Sequence, residues 1–399
     1  MSPTEGEGTS PLSLPEGEGT SPVSPTEGEG TGPASLQVGE LIGVLRVVDA
    51  AANRAQEGLR AVEDYVRFVL DDRHLTGQCK QLRHDLAAAL GRVSTEHRLA
   101  ARETLADVGT RLATPSEGRR QDTAGVLTAN FTRVQEALRS LEEFGKLLDA
   151  NELWEASPTA TGASPTATLA AELKQLRYRA YTLHRAVEIT RTSLHRLLRA
   201  RLYVLLDGRS SPEDFERLAR SLVGAGVHVI QLRDKQLDDR RLLERARLLR
   251  ELTRRSNTLF IMNDRPDLAV LSRADGVHVG QGELTVKDAR TIVGPDALIG
   301  VSTHTVEQAR QAVLDGANYL GVGPVFPSGT KQFEEFPGVE LLRAVANEIR
   351  LPAFAIGGIT RENLPEVLSA GFTRVAVAGA ITAAAEPGDI ARRLLSILT

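Results

Sequence analysis

Residues 201–399 repeat one unit eight times: a short run rich in β-branched residues, then a stretch with helical spacing. The runs occupy 201–207, 227–235, 258–264, 276–281, 298–303, 319–327, 352–359 and 374–381. Strands that alternate with helices predict a parallel sheet, and eight such units close into a (β/α)8 TIM barrel, an α/β fold. Because such barrels carry their active sites at the C-terminal ends of the strands, the residues that end the runs form the candidate site.

Two further regions precede the barrel, which is predicted to span 199–399. Residues 1–36 repeat an acidic Gly- and Pro-rich segment with a period of 11 residues. This composition predicts a disordered tail, with a functional tether as the alternative. Apolar residues at helical spacing predict an all-α domain over 37–198, interrupted by a low-complexity loop at 157–168.

The helical region contains an internal repeat, because RAQEGLRAVEDY at 54–65 aligns with RVQEALRSLEEF at 133–144. In each copy a glutamate precedes an arginine by three residues: Glu57 and Arg60, then Glu136 and Arg139. One interpretation is ion pairs on the surfaces of amphipathic helices. The other is a pseudo-symmetric site between facing helices.

Composition excludes several classes of function. The net charge of -4 provides no bulk attraction to nucleic acid or anionic membranes, and no apolar run approaches the roughly 20 residues that span a bilayer. Cys79 is the only cysteine, so an intrachain disulfide is excluded, and no signal peptide is visible. We therefore expect a cytoplasmic protein that binds small molecules and neither nucleic acid nor membrane; a homo-oligomeric state is left open.

The second run ends in Gln231-Leu232-Arg233-Asp234-Lys235. Alternation along a strand places the first, third and fifth of these on one face and the other two on the opposite face. A Gln, an Arg and a Lys inside a barrel are costly to bury unless a polyanion binds there. The alternative is an ordinary surface loop.

Two carboxylates follow neighbouring runs: Asp264 after the third run and Glu283 after the fourth. Mg²⁺ is commonly held by one or two carboxylates together with substrate phosphates, so the pair predicts a Mg²⁺ site. The alternative is that Asp264 pairs with Arg265 or a nearby lysine.

The fifth run leads to Ser302 and His304. Ser302 either hydrogen-bonds a ligand or caps the helix expected to begin near Val306. No acid–base partner is evident that would make Ser302 a nucleophile, which argues against a hydrolase triad. His304 is either a loop histidine or a catalytic one.

The last three runs end in small residues that suit phosphate binding. The sixth is followed by Ser-Gly-Thr-Lys at 328–331, whose hydroxyl and N–H donors can surround an oxyanion. Gly358 and Gly379 lie at the ends of the seventh and eighth runs, where barrels frequently bind phosphate. Two anion-binding regions around one mouth indicate a transfer reaction in which pyrophosphate leaves.

These motifs, in their order and spacing, resemble thiamine phosphate synthase. The resemblance lies in VIQLRDK, MNDRPDLA, ADGVHVGQGEL, IGVSTHT, YLGVGPVFPSGTK, FAIGGIT and VAVAGAI, which span nearly all of 201–399. It implies that 4-amino-2-methyl-5-hydroxymethylpyrimidine pyrophosphate is joined to 4-methyl-5-(2-phosphoethyl)thiazole by a Mg²⁺-assisted dissociative mechanism. The helical region, through AANRAQEGLRAVEDYVRF, RHDL and DVGT, resembles a phosphomethylpyrimidine kinase-like domain found ahead of this synthase.

The resemblance also implies a role for each site residue. Mg²⁺ would be held by Asp264 and by Glu283, where the family usually has Asp. The catalytic residues would be Lys331, Arg233 and Ser302. The pyrimidine pyrophosphate would be bound by Gln231, Leu232, Arg233, Asp234, Lys235, Asn263, Ser302 and Lys331. The thiazole phosphate would be bound by Ser328, Gly329, Thr330, Gly358, Ala378 and Gly379.

Two other functions remain open for such a barrel. A thiazole tautomerase-type isomerase would not need the residues assigned to pyrophosphate. A non-catalytic sensor of thiamine precursors would bind ligands without turnover. The complete pyrophosphate set in this sequence favours the synthase.

Overall fold

The computed structural model describes residues 36–109, 120–153, 168–327 and 337–398. The predicted tail at 1–35, the predicted loop at 157–167 and the segment 328–331 lie outside the described residues. Among the described residues, no helix is both long enough and apolar enough to cross a membrane.

Eight parallel strands close into a barrel in chain order, with β1 paired to both β2 and β8. The strands are β1 Leu202–Leu206, β2 Val229–Leu232, β3 Leu259–Asn263, β4 Gly276–Val279, β5 Leu298–Thr303, β6 Tyr319–Val322, β7 Ala353–Ile356 and β8 Val375–Val377. Each lies within one of the eight predicted runs, so the predicted TIM barrel is confirmed.

Helices follow the strands and cover the outside of the barrel. They are α6 Pro212–Gly224, α7 Asp239–Thr253, α8 Pro266–Ser272, α9 Val286–Val293, α10 Val306–Asp315, α11 Gly338–Glu348, α12 Leu364–Ser369, α13 Gly379–Thr382 and α14 Pro387–Leu398. Alternate strand residues face them: Val204 and Leu206 of β1 belong to the core shared with the helices, while Tyr203 belongs to a separate cluster inside the barrel.

The region before the barrel is helical, as predicted. Its helices are α1 Val38–Tyr65, α2 Arg73–Gly91, α3 Thr95–Ala101, α4 Thr123–Ala150 and α5 Leu169–Arg196, and a π-helical turn at Val66–Leu70 extends α1. Helices α1, α4, α5 and α2 pack in a ring. At the α1–α4 crossing a Cβ on Gly58 would lie 2.7 Å from Cγ2 of Val134, so the two backbones approach closely there.

The predicted pairing of arginines in the internal repeat is wrong. Each arginine pairs with a glutamate three residues after it and not with the one three residues before it: Arg60 lies 3.5 Å from Glu63, and Arg139 lies 3.3 Å from Glu142. Both of these glutamates are buried, whereas Arg60 and Arg139 are exposed.

Each of these buried glutamates also pairs with a second arginine, on a neighbouring helix. Nε of Arg83 in α2 donates to Glu63 at 2.9 Å, and Nε of Arg177 in α5 donates to Glu142 at 2.8 Å. Both arginines end a Lys-Gln-Leu-Arg sequence, at 80–83 and 174–177. The repeat therefore extends from α1 and α4 to α2 and α5, and the region is a duplicated pair of helices.

The helical region contacts the barrel at the amino-terminal ends of strands. Asp72 accepts a hydrogen bond from the backbone N–H of Arg350 at 2.8 Å, just before β7. The amide of Asn318, just before β6, donates to the Ser193 hydroxyl at 3.1 Å. These contacts lie at the end of the barrel opposite the carboxyl ends of its strands.

Candidate functional site

A cavity of about 390 Å³ lies inside the barrel toward the carboxyl ends of the strands. Residues from β1 to β8 and from the loops that follow them line it. On one side it is lined by four of the predicted site residues, Gln231, Arg233, Asn263 and Ser302. On the other side it is lined by Gly358, Ala378 and Gly379.

Leu232 and Asp234 point away from this cavity, as alternation predicts. Leu232 is fully buried in the core between the strands and the outer helices. The Asp234 carboxylate accepts hydrogen bonds from the backbone N–H groups of Gly208, Gln236 and Leu237 at 2.7–2.9 Å. Burial raises the pKa of Asp234, but these three donors outweigh that effect and hold the pKa below its usual value. Asp234 therefore stabilises the shape of its own loop.

Lys235 joins the two carboxylates that were predicted to bind metal. Its Nζ lies 3.6 Å from Oδ2 of Asp264 and 4.0 Å from Oε1 of Glu283. The pairing of Asp264 with a nearby lysine, left open by the sequence, is therefore present. Arg265 instead pairs with Asp239 at 2.5 Å.

Asp264 is held in one orientation by its neighbours. Its φ of +57° is in the left-handed region, which aspartate tolerates better than most residues. The Asn263 side-chain amide donates to Oδ2 of Asp264 at 2.7 Å, and the Asp264 backbone N–H donates to the carbonyl of His278 at 2.8 Å. These bonds fix the carboxylate beside Asn263, which lines the cavity; Asp264 is not among the lining residues.

The donor set of Asp264 and Glu283 fits a magnesium ion that also binds substrate phosphate. Within the described residues no group of three or more His, Cys, Asp or Glu side chains is placed to hold a metal. Mg²⁺ needs only one or two carboxylates when phosphate oxygens and water complete its coordination. The Lys235 ammonium already occupies a position between the two carboxylates, which marks this point as favourable for a cation.

Ser302 faces the cavity, and the suggestion that it caps a helix is wrong. Helix α10 is capped by Thr305, whose hydroxyl accepts from the Gln308 N–H at 3.1 Å. The Ser302 hydroxyl instead lies 3.0 Å from Nε2 of His278. Ser302 therefore has a basic partner, which was not expected from the sequence.

The His278 ring does not complete a hydrolase triad. Its Nδ1 lies 3.3 Å from the Tyr319 hydroxyl and not against a carboxylate. Burial, together with the positive charge of Arg233, lowers the pKa of His278 to about 4. The ring is therefore neutral at neutral pH, and no carboxylate of the described residues bonds to it to stabilise a charged imidazolium.

Sequence reasoning missed three polar residues inside the barrel: Tyr203, His278 and Tyr319. All three are buried and line the cavity. The sequence pattern could have indicated them, because each occupies an inward position in a predicted strand. A polar or aromatic residue at such a position needs a partner, and the alternation of the strands points it toward the barrel axis.

His304 lies in the loop that follows β5. It lines the cavity, and its Nδ1 lies 2.5 Å from the carbonyl oxygen of Gly323. Because a carbonyl only accepts, this contact places the proton on Nδ1.

Two glycines after β7 bring their loop against the loop after β6. Gly357 and Gly358 have φ values of +108° and +62°. A Cβ on Gly358 would lie 2.5 Å from the Pro327 carbonyl oxygen, and the Phe326 N–H donates to the Gly357 carbonyl at 3.0 Å. Only glycine permits this approach, so the pair shapes the wall of the cavity next to Pro327.

The fold and the cavity define a (β/α)8-barrel protein whose site combines basic side chains with paired carboxylates. Residues 202–381 match the thiamine monophosphate synthase family, and residues 46–186 match the ThiD2 family. The chain is 44% identical to the thiamine-phosphate synthase of Rhodopirellula baltica, over 85% of this chain and 88% of that protein. It is also 44% identical to the thiamine-phosphate synthase of Gloeobacter violaceus, over 86% and 94%.

Among solved structures, a thiamine phosphate pyrophosphorylase from Pyrococcus furiosus shares 35% identity and a TM-score of 0.46, over 50% of this chain and 95% of its own. The two sequence relatives extend beyond the barrel, so they share the helical region as well. The chain belongs to the thiamine-phosphate synthase family, whose members are transferases of thiamine biosynthesis. The resemblance drawn from its motifs is confirmed.

Replacement of Gly358 by alanine should destabilise the protein, because the new Cβ meets backbone atoms at a positive φ. We expect Gly358→Ala to lower the free energy of unfolding by about 1–3 kcal/mol, measured by urea denaturation. Gly379→Ala is the matched control, since among the described residues no heavy atom outside its chain neighbours and its own helix backbone lies within 4 Å of the added Cβ, and it should change stability by less than about 0.5 kcal/mol. Equal losses in the two variants would contradict this account.

Proposed function

We propose that the barrel joins 4-amino-2-methyl-5-hydroxymethylpyrimidine pyrophosphate to 4-methyl-5-(2-phosphoethyl)thiazole, giving thiamine phosphate and pyrophosphate. The observation that carries the proposal is that two unlike anion-binding regions meet at one cavity. One has charged side chains around Arg233 and Lys235, and the other has the backbone of Gly358 and Gly379. Membership of the synthase family supports the same reaction.

The charged side suits the pyrophosphate. The Arg233 guanidinium lines the cavity and makes no hydrogen bond or ion pair with any residue that the structure describes. Its planar donors therefore remain available for phosphate oxygens. Lys235 lies two residues further along the chain. Lys331, which follows β6, would add a further positive charge, as the family resemblance implies. These charges stabilise the pyrophosphate as it leaves.

Asp264 and Glu283 would hold Mg²⁺ in this arrangement. When bound, the ion supplies positive charge to the pyrophosphate oxygens. The protein contributes the fixed orientation of Asp264, through the Asn263 amide and the backbone of His278. Glu283 is the more exposed of the two carboxylates and has the longer side chain, so it adjusts more readily to the position of the ion.

The chemistry at the pyrimidine is a dissociative substitution. The C–O bond to pyrophosphate breaks and the leaving group takes the electron pair, while the amino group of the ring stabilises the carbocation. The thiazole nitrogen then donates its electron pair to form the new C–N bond. The enclosed floor of the cavity, made by Tyr203, Tyr319 and Phe354, excludes water that would otherwise trap the cation.

The glycine-lined side suits the thiazole phosphate. Gly358 and Gly379 permit close approach of backbone N–H groups to phosphate oxygens, and Ala378, directly after β8, also lines the cavity. Residues 328–330 would complete this region by resemblance. The thiazole phosphate takes no part in the bonds that break and form, so its charge does not change. The protein needs only to bind it.

Enzyme assays separate the synthase from its alternatives. The full-length protein, supplied with both substrates and Mg²⁺, is expected to form thiamine phosphate and pyrophosphate in equal amounts, detected by chromatography. Interconversion of thiazole tautomers without thiamine phosphate would indicate the isomerase. Binding of both ligands without either product would indicate a sensor, and each of these outcomes would overturn the proposal.

Lys331 is expected to stabilise the leaving pyrophosphate. Lys331→Ala should therefore lower kcat by at least about 100-fold, as for loss of an electrostatic stabiliser of the transition state. Lys287→Ala removes an exposed lysine of α9 and is the control for loss of one positive charge. Near-normal turnover by purified Lys331→Ala would remove this residue from the mechanism.

The carboxylate pair predicts a defined dependence on Mg²⁺. EDTA should abolish turnover, and Asp264→Asn or Glu283→Gln should each raise the Mg²⁺ concentration for half-maximal activity by about tenfold or more. Asp296→Asn changes an exposed carboxylate at the opposite end of β5 and should leave that concentration unchanged. An unchanged Mg²⁺ requirement in both site variants would place the metal elsewhere.

A further inference from the structure

Five side chains form one hydrogen-bonded relay across the inside of the barrel. The Gln231 amide nitrogen donates to the Tyr203 hydroxyl at 2.8 Å, and the hydroxyls of Tyr203 and Tyr319 lie 3.1 Å apart. The Tyr319 hydroxyl lies 3.3 Å from Nδ1 of His278, whose Nε2 lies 3.0 Å from the hydroxyl of Ser302. We call this set the barrel relay.

The barrel is shaped to accept the relay. A Cβ on Gly300 would lie 2.1 Å from Cζ of Tyr319 and 2.5 Å from Nδ1 of His278. A Cβ on Gly321 would lie 3.2 Å from Cε1 of His278. Neighbouring glycines on β5 and β6 therefore leave the space in which the imidazole and the tyrosine hydroxyl meet.

The relay has a direction, because its first donor is an amide nitrogen. Since the Gln231 nitrogen can only donate, the Tyr203 oxygen accepts this hydrogen bond. The Tyr203 hydroxyl therefore donates its own hydrogen bond to the Tyr319 oxygen. Tyr319 in turn donates to Nδ1 of the histidine. A neutral imidazole that accepts at Nδ1 carries its proton on Nε2.

The two ends of the relay consequently present opposite hydrogen-bonding groups to the cavity. Nε2 of His278 donates to the Ser302 oxygen, so the hydroxyl proton of Ser302 is left to donate to a ligand. At the other end, Oε1 of Gln231 has no partner among the described residues and is left to accept. An aminopyrimidine matches this pair, since its amino group donates and its ring nitrogens accept.

We propose that Tyr203, Tyr319 and His278 are positioning residues that select the aminopyrimidine ring. They act through Gln231, which they fix as an acceptor, and through Ser302, which they fix as a donor. The inference rests on the proposed function for its ligand. It adds the reason why the site would prefer a pyrimidine with an amino group to the same pyrimidine with a carbonyl oxygen at that ring position.

The direction of the relay can be measured without substrate. In the ¹⁵N-labelled full-length protein, the imidazole signals that disappear in His278→Gln identify His278 by NMR. We expect the Nε2–H tautomer in the wild type and a mixture of tautomers in Tyr319→Phe. A wild-type Nδ1–H tautomer would mean that the relay runs in the opposite direction and would overturn the proposal, whether or not the enzyme is active.

The effect on selectivity is tested with Tyr319→Phe and Tyr203→Phe, each of which removes one hydroxyl and keeps the ring. The KM for the pyrimidine pyrophosphate should rise about tenfold and the KM for the thiazole phosphate should change less than about twofold, as for loss of one buried hydrogen bond. The preference for the amino substrate over its 4-oxo analogue should fall by a similar factor. Tyr178→Phe, at an exposed position of α5, is the matched control.

A purely structural role predicts a different result. Loss of packing would lower the urea midpoint and reduce turnover with every substrate, without changing the ratio between the amino and oxo pyrimidines. That result in both variants would overturn the proposal. Absence of turnover in the wild type would instead reject the proposed function and leave the tautomer measurement valid.

Discussion

A closed barrel of eight strands must fill its own interior, and the candidate site depends on how this chain does so. Near the amino ends of the strands the space is filled by Tyr203, Tyr319 and Phe354, whose ring centroids lie 5.2–6.0 Å apart. Above these rings Gly300 and Gly321 contribute no side chain, so the interior is open enough for His278 and a ligand cavity. The side chains that fill the barrel and the ligand cavity therefore share one interior volume, and the glycines on β5 and β6 leave room for both.

The strands and helices of the barrel were predictable because each is encoded locally. Alternation along the run that ends at Lys235 even assigned Leu232 and Asp234 to the face opposite the cavity. The partners of Ser302 were not predictable, since His278 reaches it only after β4 and β5 have paired in one particular register. The same limit applies to the buried tyrosines, which contact each other between β1 and β6, strands separated by more than 100 residues.

The helical region shows the same division between local pattern and tertiary contact. Its repeat was visible in the sequence, but the arginine partners were not, because three acids lie three or four residues from each arginine on its own helix. Burial decides between them: Glu63 and Glu142 lie inside the bundle, where an unpaired carboxylate would be strongly destabilising. Each therefore has two arginine partners, one on its own helix and one on a neighbouring helix.

In the proposed reaction the two sides of the cavity would bind their phosphates by different physical means. The pyrophosphate gains charge as its bond to carbon breaks, so it benefits from side-chain charges that are held in place before the reaction. Lys235 pairs with both Asp264 and Glu283, the carboxylates that would hold a divalent cation in the proposed reaction. In that reaction the thiazole phosphate keeps its charge throughout. The backbone around Gly358 and Gly379 would therefore bind it equally strongly before the transition state and in it.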